Sequence, residues 1–220
     1  PGFIVNHAGR GFAPEGLRIL SEGVADVQTV DRILRDVAGF RMGPFELTDL
    51  IGLDVSLAVM DSIYEQFYHE PRFKPSALAR AQVAAGLYGR KTGRGFYVYA
   101  DGAPMLDPEP VLPSCSVADW PTVWVSNAEP DLAQLLRQAL QAVGARLEQG
   151  STPSASALIL LTPLGQDVTS AVLAQGLDAR RALGVDCLFA PLRGLEQRRT
   201  LMARSEEHTS ELQSRQYSYA

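Results

Sequence analysis

Residues 101–114, DGAPMLDPEPVLPS, contain four prolines. Proline lacks a backbone N–H, so neither a helix nor a central strand runs through such a stretch. The composition reads as a linker, and it divides a 220-residue chain into two parts with different hydrophobic periods.

Before the linker the period is helical. Leu17 and Leu20 fit one helix, with Pro14 expected to kink or interrupt it. Asp26 is a candidate N-cap for Val27, Val30, Leu34 and Val37, and Gly39 is the expected stop. In MGPFELTDLIG, Pro44 sits where a first helical turn accepts it. Asp54 is expected to cap a third helix carrying Val55, Val59, Ile63 and Phe67. Leu57, Met60 and Tyr64 make a second stripe, so burial on more than one side is expected. HEPRFKP reads as a loop, and Ser76 starts a helix reaching about Leu87. GRKTGRGFYVY closes the region as a short extended tail.

After the linker, apolar residues come in short runs. TVWVS (122–126), ALILL (157–161) and RALGVDCLF (181–189) read as strands. Leu132, Leu135, Leu136, Ala139 and Val143 form a helical stripe, and DVTSAVLAQ (167–175) reads as a second helix. Strand and helix alternate, which predicts a small α/β unit with a parallel sheet. The expected domains are 1–100, a linker at 101–116, and an α/β domain at 117–203. Residues 204–214, RSEEHTSELQS, match the translation of a common sequencing adapter. Residues 204–220 are therefore expected to be a disordered, dispensable artefact.

A net charge of −5 argues against a general nucleic-acid binder. Cys115 and Cys187 have no metal spacing and suggest a reducing compartment. No apolar run approaches the ~18–20 residues of a membrane span. Pro1 opens in mid-pattern without Met, so the chain reads as a fragment.

Several chemistries find no support. His7 and His69 lack a partner at ligand spacing, so no metal site is expected. There is no G-x-S-x-G elbow. GLYGRKTGRG fails as a Walker motif because Arg90 precedes Lys91. No G-x-G-x-x-G occurs, and NAEPDL after the first strand contains no glycine. The α/β domain is therefore not expected to bind a dinucleotide. Three polar points remain. Asn6 follows an apolar run that should anchor a helix start, and it reads either as a site amide or as a cap. Lys91 is either an anion contact or a solvated cation. Glu46 and Asp49 read as structural carboxylates near a helix start.

In order and spacing, PGFIVN, GFRMGPFELTDLIGLD and GRKTGRGFYVY resemble the C-terminal helical domain of 3-hydroxyacyl-CoA dehydrogenases. Residues 101–203 are similar to the linker domain of the longer bacterial members, of the 3-hydroxybutyryl-CoA and phenylacetate-pathway type. The resemblance implies an all-α N-terminal domain, like the C-terminal domain of 6-phosphogluconate dehydrogenase, followed by a small Rossmann-like α/β domain. It implies NAD as cofactor, an acyl-CoA substrate, a homodimer and a bacterial cytoplasmic setting, with no nucleic acid or membrane partner. It also implies a Rossmann domain ahead of Pro1 in the same chain, holding the catalytic histidine and glutamate, so the fragment alone is expected to be inactive. By motif match Asn6 is the active-site asparagine and Lys91 reaches the NAD site. His7 departs from the arginine many members carry, which puts a salt bridge behind the site in doubt. The rival readings are a non-catalytic helical interaction module and a dehydrogenase of another hydroxy acid.

Overall fold

The structure is a computed structural model and describes residues 3–109, 116–187 and 201–203. Residues 110–114 of the proline-rich stretch, Cys115 and residues 204–220 lie outside the described residues. Two compact units, Pro1–Glu109 and Pro110–Ala220, divide the chain.

The first unit is helical. It contains α1 (Ile4–Ala8), α2 (Phe12–Ser21), α3 (Val27–Arg32), α4 (Pro44–Ile51), α5 (Leu53–Gln66) and α6 (Ala77–Ala84). Asp26 caps α3 as expected, its Oδ1 accepting Thr29 N–H at 2.7 Å. The chain then runs through a wider turn at Ile33–Val37 before Gly39 reverses it at φ 78°. Ser76 Oγ accepts Leu78 N–H at 3.2 Å and starts α6, which stops at Ala84, short of the expected Leu87.

Three local expectations need correction. Pro14 does not interrupt α2: it is the third residue, in the first turn, where a backbone N–H has no helical acceptor to lose. Asp54 is not the cap of α5, because Gly52 takes that position at φ 102° and Asp54 falls in the first turn. The core face of α5 is Leu53, Leu57, Met60 and Ile63, while Val55 faces outward. Leu53, Leu57 and Met60 pack with Leu17, Val30, Phe45, Ala79 and Tyr97.

The unit ends in more structure than an extended tail. Strand β1 (Tyr99–Ala100) pairs antiparallel with β2 (Ala103–Pro104). Asp101 and Gly102 turn the chain between them with φ of 51° and 79°, the signs of a type I′ turn. The Gln28 side chain then holds Asp107 through both of its backbone polar groups, at 2.8 and 3.0 Å. The start of the linker is thus part of the first unit.

The second unit contains β3 (Val123–Val125), α7 (Pro130–Ala142), β4 (Leu158–Leu161), α8 (Val168–Ala174), β5 (Ala182–Val185) and β6 (Leu201–Ala203). The sheet order is β3-β4-β5-β6. The first three strands are parallel, and β6 pairs antiparallel with β5, so the sheet is mixed rather than parallel throughout. Strand alternation sorts the core by face. Val123, Val125 and Leu160 pack with Ala133, Leu136 and Leu140 of α7. Trp124, Ile159 and Leu161 pack with Val168, Ala171 and Val172 of α8. One helix on each face is the layered plan of doubly wound units.

Candidate functional site

Asp31 and Asp49 lie at the centre of the first unit, each 1% exposed. The Asp31 carboxylate accepts Phe45 N–H at 2.9 Å, Glu46 N–H at 2.8 Å and the Tyr97 hydroxyl at 2.8 Å. It satisfies the free amides at the start of α4, where the helix dipole favours an anion. Gly43 must be glycine here, because a Cβ would overlap the Asp31 side chain. Burial nonetheless pushes the Asp31 carboxyl up to about 6, with the three donors opposing it.

Asp49, near the end of α4, accepts Phe96 N–H at 3.0 Å, Tyr97 N–H at 2.9 Å and the Tyr99 hydroxyl at 3.0 Å. Its carboxyl is also raised, by burial first. Gly89 and Gly95 let the chain pass against Asp49, since a Cβ at either would overlap it. The sequence therefore places Asp49 correctly as structural, but its work is to fix the GRKTGRGFY segment rather than to favour the start of α4. The sequence signals Asp31 only as an aspartate in the middle of an apolar helical stripe. Glu46 pairs with Arg35.

The segment that Asp49 fixes carries Lys91, on a short turn at Arg90–Thr92. Thr92 Oγ1 holds this turn, donating to the Gly89 and Arg94 carbonyls at 3.1 and 2.9 Å. Lys91 Nζ lies 2.5 Å from Asp54 Oδ1 and 5.2 Å from the centre of the Tyr88 ring. Its ammonium passes over Gly52, where a Cβ would come within 2.7 Å of it. Lys91 is thus a paired cation at the surface, and Asp54 is held below the usual carboxylate range by the hydrogen bond from Lys91.

Asn6 sits in α1, exposed, with its N–H on the Phe3 carbonyl at 2.9 Å. The apolar run before it does not anchor the helix as expected. Phe3, Ile4 and Val5 are 79%, 88% and 68% exposed. Consecutive residues point around a helix rather than along one face, so a single core cannot take all three. Asn6 and Lys91 are both accessible from outside, each on a short element at the unit's surface.

The second unit offers no nucleotide cradle at its first βα turn. Pro130 occupies the first position of α7 and supplies no N–H, and Glu129 and Asp131 flank it with negative charge. Behind them, Arg137 Nη2 donates to the Val125 carbonyl at 2.8 Å, and Ser126 Oγ donates to Gln175 Oε1 at 2.6 Å. A pyrophosphate needs open amides and positive potential there. Among the described residues no group of His, Cys, Asp and Glu is arranged to hold a metal ion, and no helix is long and apolar enough to cross a membrane.

The profile of the 3-hydroxyacyl-CoA dehydrogenase C-terminal domain matches residues 2–99. The 3-hydroxyadipyl-CoA dehydrogenase of Escherichia coli K12 is 50% identical over 97 residues, which are 44% of this chain and 20% of that protein. The mitochondrial hydroxyacyl-coenzyme A dehydrogenase of Homo sapiens is 38% identical over 99 residues, 45% of this chain and 32% of that one. The crystal structure of 3-hydroxybutyryl-CoA dehydrogenase from Escherichia coli K12 superposes with a TM-score of 0.61 at 27% identity, over 94% of this chain and 37% of that chain. That likeness reaches into the second unit. The chain spans between a fifth and a third of these two curated relatives.

Proposed function

We propose that this chain is part of an NAD-dependent 3-hydroxyacyl-CoA dehydrogenase, with the first unit as one wall of the acyl pocket and as a dimer surface. The observation that carries the reading is the family match across residues 2–99. The placement of Asn6 and Lys91 at the surface supports it, because each is free to meet groups supplied by another domain. The same holds for the uncovered run Phe3–Val5. In the overall reaction a 3-hydroxyacyl-CoA loses a hydride from C3 and the hydroxyl proton, giving a 3-oxoacyl-CoA. NAD, when bound, accepts the hydride. The amide of Asn6 orients the acyl group and stabilises the charge that shifts onto its oxygen. Lys91, a cation beside an aromatic ring, suits an anionic edge of the cofactor. The turn at Glu129–Asp131 does not suit it, so the second unit has no part in the redox step. The setting is the cytoplasm of a bacterium.

The test is a domain exchange. Residues 2–99 replace the matching segment of the E. coli 3-hydroxyadipyl-CoA dehydrogenase, and NADH formation from 3-hydroxyacyl-CoA thioesters is followed. Activity in the exchanged enzyme, lost by about 10²–10³ in turnover on Asn6→Ala, is the expected result. A folded but inert exchange, matched by a chain that binds partners without turnover, favours the interaction-module reading.

A further inference from the structure

No residue of α1 is buried, and five residues are too few for a helix to persist by itself. The helix is nevertheless tied down near its C-terminal end by the Arg10 side chain. Its Nη1 donates to the His7 carbonyl at 2.5 Å, one of the last carbonyls of α1, where a cation also suits the dipole. Its Cζ lies 5.0 Å from the centre of the Phe67 ring and 5.2 Å from that of Phe73. These rings meet edge to face at 5.0 Å. Phe67 ends α5 and Phe73 closes the turn Pro71–Phe73, so both are held by elements of the unit's body. Arg10 Nε is buried without a hydrogen-bond partner, so on that side the guanidinium meets the aromatic rings. The His7 ring, 6.2 Å from Phe67, adds a second contact on the same aromatic group.

We propose that Arg10 is the positioning residue for Asn6. It fastens the end of α1 to the Phe67–Phe73 pair and so sets the direction in which the Asn6 amide is presented. The inference rests on the reading of Asn6 as a site residue. A lysine does not replace Arg10, because its single ammonium has neither a delocalised charge spread between two rings nor a fork to reach the carbonyl at the same time.

Two measurements test this. In the 220-residue chain, Arg10→Met lowers the ¹H–¹⁵N heteronuclear NOE of residues 4–9 and leaves that of residues 93–99 unchanged. In the exchanged enzyme, Arg10→Met lowers turnover by about tenfold to a hundredfold with NAD affinity unchanged. Arg10→Lys recovers only part of the loss. The double variant Asn6→Ala/Arg10→Met is no slower than Asn6→Ala alone, because Arg10 acts through Asn6. Full turnover in Arg10→Met beside a slow Asn6→Ala overturns the proposal, as does a multiplicative double variant. Full turnover in Asn6→Ala overturns the reading of Asn6 instead. If the exchanged enzyme has no activity, the proposed function fails and the NOE measurement alone decides whether Arg10 orders α1. If Arg10→Met does not fold, Arg10→Lys carries both comparisons.

Discussion

The two units solve the same problem of joining elements in opposite ways. Among the described residues, the buried carboxylates, Asp31 and Asp49, are both in the first unit. There they stand in for missing regular structure, taking up the free amides of a helix start and of an irregular glycine-rich segment. Among the described residues, the buried polar residues of the second unit are Ser126 and Thr162, and two of its acids, Asp167 and Asp178, cap a helix and a turn. Asp167 Oδ1 accepts Ser170 N–H at 2.9 Å, and Asp178 Oδ1 accepts Arg180 N–H at 3.0 Å. Parallel strands satisfy their own backbones, so a sheet core has no amides left for a buried acid to serve. Short helices joined by turns do.

The largest expected effect follows from that contrast. Asp49→Ala strips the acceptor from Phe96 N–H, Tyr97 N–H and the Tyr99 hydroxyl together, and costs about 3–4 kcal/mol of first-unit stability. Ser126→Ala in the second unit loses the hydroxyl bond to Gln175 and the acceptor of the Ala128 N–H, together about 1–2 kcal/mol. Both tryptophans, Trp120 and Trp124, lie in the second unit, so their emission follows it alone during unfolding. Five of the seven tyrosines lie in the first unit, so the near-ultraviolet tyrosine signal follows mainly that unit. Equal costs for the two substitutions would break the comparison.

Acidity sharpens it. Asp31 has a folded pKa of about 6, above its unfolded value of 3.8. The associated stability is fully present below pH 3.8 and is lost as the pH rises through about 6; it amounts to about 3 kcal/mol. Asp49 moves in the same direction. In the second unit the Arg180 side chain, the Arg180 amide and then Arg181 hold Asp178 down at about 2. Asp167 and Glu148 are lowered by the hydroxyls of Ser170 and Ser154. Stability from these groups is present above their ordinary values and is lost as the pH falls through the lowered ones. The tyrosine-monitored transition should therefore move to higher temperature from pH 7 to pH 5. The tryptophan-monitored one should hold there and fall only toward pH 2–3. A first unit that weakens between pH 7 and pH 5 means that the three donors to Asp31 outweigh its burial.

The sequence made regular elements legible and special contacts less so. Strands of the second unit were readable because consecutive apolar residues at 123–125 and 158–161 have no other use in a polar chain. The caps at Asp26 and Ser76 were readable because a cap and its amide are neighbours in sequence. Asp31 and Phe45 are 14 residues apart, and Asp49 and Tyr97 are 48 apart, so no local pattern announces them. Asn6 and Lys91 stand out as polar groups beside an apolar run and in a glycine-rich cationic turn, and the family motif chooses between the two readings of each. Arg10, three residues after His7, stayed hidden because its aromatic partners come from Phe67 and Phe73. The antiparallel β6 was missed because Leu201–Ala203 is too short to show alternation.

The smallest effect concerns Lys91. Its loop is held from inside by Asp49, while outside it has only the exposed pair with Asp54 and the Tyr88 ring. Exposed pairs contribute little, because water already solvates both partners. Lys91→Met in the 220-residue chain should shift the tyrosine-monitored midpoint by no more than about 2 °C. That weakness is what a cofactor contact requires: an ammonium released from Asp54 at small cost is available to an anion, while the backbone that carries it stays fixed. In the exchanged enzyme the same substitution should raise the NAD dissociation constant about tenfold, as expected for one lost charge-assisted bond, with turnover at saturating NAD within about twofold. Asp54→Asn separates the two roles. It removes the pair but keeps the cation, so NAD affinity should hold or rise. If NAD affinity is unchanged in Lys91→Met while the midpoint drops by many degrees, Lys91 is a strut of the first unit, and its loop is braced from both sides rather than from Asp49 alone.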